Sequence, residues 1–96
     1  MPSAPARVYV RDSVDVAADS EVRVVGEIRS GSVRAGMQAC VSLGSFSVVA
    51  AIKRVESSGD EISIALDIAD EEQRGFWKDL CSPGSWVGVI ENTENG

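Results

Sequence analysis

The chain has no histidine. That removes the side chain whose ordinary pKa lies nearest neutrality. With it go His-based acid–base catalysis, Ser–His and Cys–His nucleophile pairs and His-containing metal sites. Cysteine is scarce: Cys40 and Cys81 are the only two, and their wide spacing matches neither a redox motif nor a metal-binding set. Both are expected as free, partly buried thiols. Prolines number three, and the aromatics are two Trp, two Phe and one Tyr. No apolar run approaches the roughly 18–20 residues that cross a membrane as a helix. The opening Met1-Pro2-Ser3-Ala4-Pro5-Ala6 has no apolar segment of the kind a secretory signal needs. No membrane partner is expected, and a cytoplasmic location is the default expectation.

What the chain does have is aliphatic and acidic. Its 96 residues, 44% of them hydrophobic, suffice for one domain with a thin core. Val, Ile and Ala dominate that apolar set, which favours strands over long helices. The net charge of −6 is unevenly spread: residues 1–54 carry seven basic and five acidic side chains, residues 55–96 two and ten. An acidic chain repels a phosphate backbone. The basic residues of the first half (Arg7, Arg11, Arg23, Arg29, Arg34, Lys53, Arg54) still leave room for a local stripe if strand geometry gathers them.

Alternation supplies the architecture. Ala6 to Arg11 reads as a first strand, and the acid-rich 12–19 segment as a loop or weakly paired arm. From Ser20 to Arg29, Val22, Val24, Gly26 and Ile28 share one parity while Glu21, Arg23, Glu27 and Arg29 take the other, as in a half-buried antiparallel strand. Gly26, on the inner parity, implies a bend or a close approach. Ser30-Gly31-Ser32 and Arg34-Ala35-Gly36 are turns. Met37, Ala39, Val41 and Leu43 form the next inner row. Gly44-Ser45 links it to a return strand with Phe46, Val48, Ala50 and Ile52 in phase, and Val55 breaks that phase as a bulge would. After a turn at Ser57-Ser58-Gly59-Asp60 comes the cleanest alternation, Ile62, Ile64, Leu66 and Ile68. Asp70 begins a short helix with Gln73 placed as in a capping box. There Phe76 and Leu80 are expected to face the core, with Trp77 flanking them. Ser85 to Glu91 closes the chain with apolar residues on both parities, which suits a covered or central strand. Asn92 to Gly96 is a polar tail. Such strands fit a small closed barrel or a tight sandwich, and links too short for crossovers favour the barrel. The expectation is an all-β chain: a small closed antiparallel β-barrel of about six strands, core 6–91, with one short helix near 70–80.

The stretch Val24-Val25-Gly26-Glu27-Ile28, followed by Ser30-Gly31-Ser32-Val33-Arg34-Ala35-Gly36, resembles the second, β-barrel domain of translational GTPases of the elongation factor Tu type. Pro83-Gly84-Ser85-Trp86-Val87-Gly88-Val89 is similar to a later segment of the same domain. The likeness spans about 6–91. Met37 and Ser85 stand where that family commonly has aspartate. No Gly-x-x-x-x-Gly-Lys-Ser/Thr loop is present, so nucleotide hydrolysis does not carry over. In that family the barrel packs on the GTPase domain and, in elongation factor Tu, touches the aminoacyl end of tRNA. The resemblance thus implies a stand-alone barrel acting as an accessory module.

Three functional expectations follow. The leading one is a non-catalytic interaction module with a protein partner, for which Phe76 and Trp77 are candidate anchors if exposed and core if not. The second is contact with RNA or a ribosome through Arg7, Arg11, Arg23, Arg29 and Arg34, with Tyr9 exposed beside Arg7 and Arg11. The third is acid- or divalent-metal-dependent catalysis by Asp60-Glu61 and Asp70-Glu71-Glu72. Those acids stand where a turn and a helix start want them. No catalytic, metal-binding or cofactor-binding residue is assigned, and no cofactor is expected.

Overall fold

The computed structural model describes residues 6–91. Among them, β1 (Ala6–Val16), β2 (Glu21–Gly31), β3 (Gln38–Ser42), β4 (Ser47–Ser58), β5 (Glu61–Asp67) and β6 (Trp86–Ile90) close an antiparallel barrel in the order β1-β2-β5-β4-β3-β6. Helix α1 (Glu71–Leu80) lies between β5 and β6. The expected six-stranded barrel with one helix is therefore the fold. The tail expected at 92–96 lies outside the described residues.

Alternation puts Val8, Val10, Val22, Val24, Ala39, Ile52, Ile62, Ile64, Leu66, Val87 and Val89 inside, each at most 3% exposed. Their burial is the main stabilising term, at about 1.5–3 kcal/mol for each large aliphatic side chain. Met37 and the half-buried Val33 fill the crossing from β2 to β3. There Gly36 takes φ +95° and donates to the Ile52 carbonyl at 2.9 Å.

Three one-residue bulges interrupt the ladders, and each extra residue is a cation. Register shifts leave Arg11 unpaired between β1 and β2, Arg29 likewise in β2, and Lys53 between β4 and β5. A bulge exchanges inner and outer faces beyond it. Of the two readings of 12–19, a loop or a weakly paired arm, the loop is corrected for 12–16: β1 continues to Val16, paired with β2, but in the opposite phase. Beyond Arg11 it is Ser13 that is buried, while Val14 is 48% exposed. The expected break near Val55 is the Lys53 bulge.

Gly26 is buried because nothing larger fits. A Cβ there would lie 2.2 Å from the Tyr9 carbonyl oxygen, so the close approach expected of it is real.

Asp70 caps α1, its carboxylate accepting from the Gln73 amide at 3.1 Å. The rotation of α1 differs from expectation. Arg74 is 6% exposed and donates to Asp15 (2.8 Å) and to the Ile68 and Ala69 carbonyls (3.2 and 2.8 Å). With Arg74 pinned, Trp77 and Cys81 point into the barrel end, Leu80 is half-buried, and Phe76 is left 38% exposed. The Ser13 hydroxyl donates to the Lys78 carbonyl at 3.3 Å, tying the helix to β1 beyond its bulge. Phe46, expected in the inner row of β4, precedes that strand and is 60% exposed.

Candidate interaction surface

The outer faces of β2, β1 and β6 carry a ladder of cations and aromatics. Tyr9 pairs in register with Glu27 on β2 and with Trp86 on β6. The Tyr9 and Trp86 rings meet edge to face with centroids 5.2 Å apart. The Arg7 guanidinium lies over Trp86 at 4.4 Å, and that of Arg29 over Tyr9 at 5.1 Å. The aromatic pair contributes about 0.5–1.5 kcal/mol beyond its area. Each exposed cation–aromatic contact adds about 0.5–1 kcal/mol. Trp86 remains 42% exposed.

Trp86 went unrecognised as a surface residue because apolar parity on both sides of β6 suggested a covered strand. β6 is central, lying between β1 and β3, but no second layer covers its outer face among the described residues. The partnership with Tyr9 depends on register, which no local pattern reveals. Trp77, in contrast, is 2% exposed and belongs to the core. Of the expected aromatic pair, only Phe76 reaches the surface.

The arginines fall into separate groups rather than one stripe. Arg11 and Arg29 both bind Glu27, the latter at 3.1 Å, and Arg11 also reaches Glu61 at 4.0 Å. Arg34 pairs with Glu91 at 2.7 Å. Arg23 and Arg54 donate to Glu21 Oε2 at 2.6 and 2.9 Å, and the Lys53 ammonium sits 3.2 Å from its Oε1. Arg7 meets no carboxylate among the described residues and stands on Trp86 instead.

Glu21 shares the outward parity of Arg23, yet is 0% exposed, covered by the side chains of its own partners. Lys53 aims its hydrogen bond at the Asp19 carbonyl (2.8 Å), so Glu21 Oε1 has an ion-pair neighbour but no aligned donor. Burial pushes the Glu21 carboxyl up. Hydrogen bonds from Arg23 and Arg54, with the neighbouring Lys53 ammonium, outweigh that and hold its pKa at about 2. The same contact raises Arg23.

The acid pairs are placed structurally. Asp70 is the helix cap, and Glu71 and Glu72 occupy the first turn, favoured by the helix dipole. Asp60 sits in the β4–β5 turn and Glu61 opens β5; with Glu27, Ile28, Ser57 and Ile62 they line an open cleft of about 350 Å³. Among the described residues no group of three or more acids and cysteines is arranged to hold a metal ion. Both cysteines are free: Cys40 is half-buried on the outward face of β3, and burial pushes the Cys81 thiol up to about 11. Among the described residues no helix is long and apolar enough to cross a membrane.

Comparisons with protein families, characterised proteins and solved structures return no match to this chain.

Proposed function

We propose that this chain is a non-catalytic interaction module, an accessory barrel akin to the second domain of elongation factor Tu-type GTPases, that engages a protein through the outer face of β2, β1 and β6. The exposed Trp86, stacked beneath Arg7 and against Tyr9, carries the reading. Trp, Tyr and Arg are the residues that anchor protein interfaces, and stacking lowers the entropy lost when they bind. Closure of the barrel bears on the mode of binding. Around Tyr9 and Trp86 the β1 and β6 backbones are paired on both sides, so a partner at this spot meets side chains rather than a free strand edge.

The RNA or ribosome alternative rests on the same arginines. Most of their charge faces Glu21, Glu27 or Glu91, which leaves little bare positive surface for a phosphate backbone.

The test is affinity capture from the native cell with the wild-type chain and with Trp86→Ala. The variant must first match wild type in far-UV circular dichroism. Partners held by wild type and lost by Trp86→Ala support the reading. Identical partners with both chains refute it.

A further inference from the structure

The strand registers draw one row across the outer face of four strands: Val49 on β4, Cys40 on β3, Gly88 on β6 and Arg7 on β1. Along β6, Trp86 and Ile90 flank Gly88 on the same face, since Val87 and Val89 point inward. The residues around Gly88 are thus apolar or uncharged on three sides, and Arg7 closes the fourth. Gly88 itself adds no side chain, so the strip is lowest at this point of β6. Val49 is 49% exposed, which extends the apolar strip beyond Cys40.

This strip and its single cation are complementary to one kind of ligand. From the reading of this face as the binding surface, the geometry points to a short peptide segment as its occupant: an aliphatic or aromatic side chain seated over Gly88 between Trp86 and Ile90, and a neighbouring Asp or Glu carboxylate on Arg7. Guanidinium geometry suits this. Stacking on Trp86 uses the face of the exposed Arg7 guanidinium, and its N–H groups remain available for two parallel hydrogen bonds to a carboxylate. Arg7 has no carboxylate among the described residues to release first, unlike Arg11, Arg29 and Arg34. A polyanionic strand is the poorer fit, because the other cations of this outer face, Arg29 and Arg11, are already held by Glu27 and the chain as a whole carries −6. The β6 backbone is already paired on both sides, so recognition rests on side chains.

The experiment pans a random phage-displayed peptide library on the immobilised full chain and titrates labelled poly-uridine RNA in parallel. The expected result is enrichment of peptides that place Asp or Glu beside an aliphatic or aromatic residue. A synthetic copy of the winning peptide then protects Cys40 from iodoacetamide. Its affinity falls at least about tenfold with Arg7→Gln, as for loss of a charge-assisted hydrogen-bond pair. Gly88→Val, which fills the gap over the strand, gives a second loss. Arg34→Gln, on the separate Glu91 pair, changes affinity less than about twofold. No enrichment, enrichment of basic peptides, or binding indifferent to both Arg7→Gln and Gly88→Val overturns the proposal. RNA bound in an Arg7- and Trp86-dependent way overturns the peptide class while keeping this face as a contact surface. Native partners that survive Trp86→Ala overturn the face itself.

Discussion

Glu21→Gln isolates the covered carboxylate and has a calculable consequence. The fall from the ordinary value of 4.5 to about 2 corresponds to about 3 kcal/mol at ~1.36 kcal/mol per pH unit. Arg23, Lys53 and Arg54 keep 39%, 32% and 43% of their side chains in solvent, and screening reduces the net to about 1–2 kcal/mol. The folded-state pKa is the lower one, so this stabilisation is complete above the unfolded value. It is lost as pH falls from about 4.5 through about 2. Urea unfolding of wild type and Glu21→Gln, followed by circular dichroism, should therefore show the variant less stable by about 1–2 kcal/mol near neutrality. That gap should close as the pH is lowered toward 2. A gap that stays constant within about 0.5 kcal/mol across this range, or a variant as stable as wild type near neutrality, refutes the assignment of acid sensitivity to Glu21.

Two glycines should respond with opposite signs. Gly26→Ala drives a Cβ into the Tyr9 carbonyl and should cost about 2–3 kcal/mol, a Tm drop of about 10 °C or more in a thermal melt. Gly75→Ala, in the open on α1 with nothing within 4 Å of the added carbon, should stabilise by about 0.5–1 kcal/mol in the same assay. Arg74→Met keeps the aliphatic stem but strands the Ile68 and Ala69 carbonyls and Asp15. Urea unfolding should register a loss of about 2–4 kcal/mol. Under native conditions iodoacetamide should modify Cys40 once per chain by mass spectrometry and reach Cys81 only on unfolding, given its burial and its thiol raised to about 11.

The places where local pattern failed share a cause. The acid-rich 12–19 segment reads as a loop or weakly paired arm, but β1 runs on to Val16, the bulge at Arg11 reversing the phase and handing the inside to Ser13. Phe76 and Leu80 sit at the i, i+4 spacing of a buried stripe. The helix nevertheless turns on Arg74, whose partners lie on β1 and in the β5–α1 connection, and Trp77 goes inside instead. Glu21 reads as an outward acid until Arg23 on its own strand and Lys53 and Arg54 on β4 close over it. In each case a residue distant in sequence sets the outcome. Where only neighbours matter, as with the Asp70 cap or the Ile62–Ile68 alternation, sequence reading and structure agree.

The candidate surface divides along the same line. Tyr9 and Arg7 are legible as an outward pair from β1 alone. Their union with Trp86 and Arg29 exists only because β1 lies between β2 and β6 in one particular register.

Period-two hydrophobicity, turn glycines and a capped helix are properties of adjacent residues. They determined that the chain is all-β, how many strands it has and that it closes. Which residue meets which across the sheet depends on bulges and strand order, and these are settled by packing the whole barrel at once. Tertiary structure alone therefore decided that Glu21 is buried, that Arg11 and Arg29 share Glu27 while Arg23 and Arg54 share Glu21, and that Trp86 rather than Trp77 faces outward.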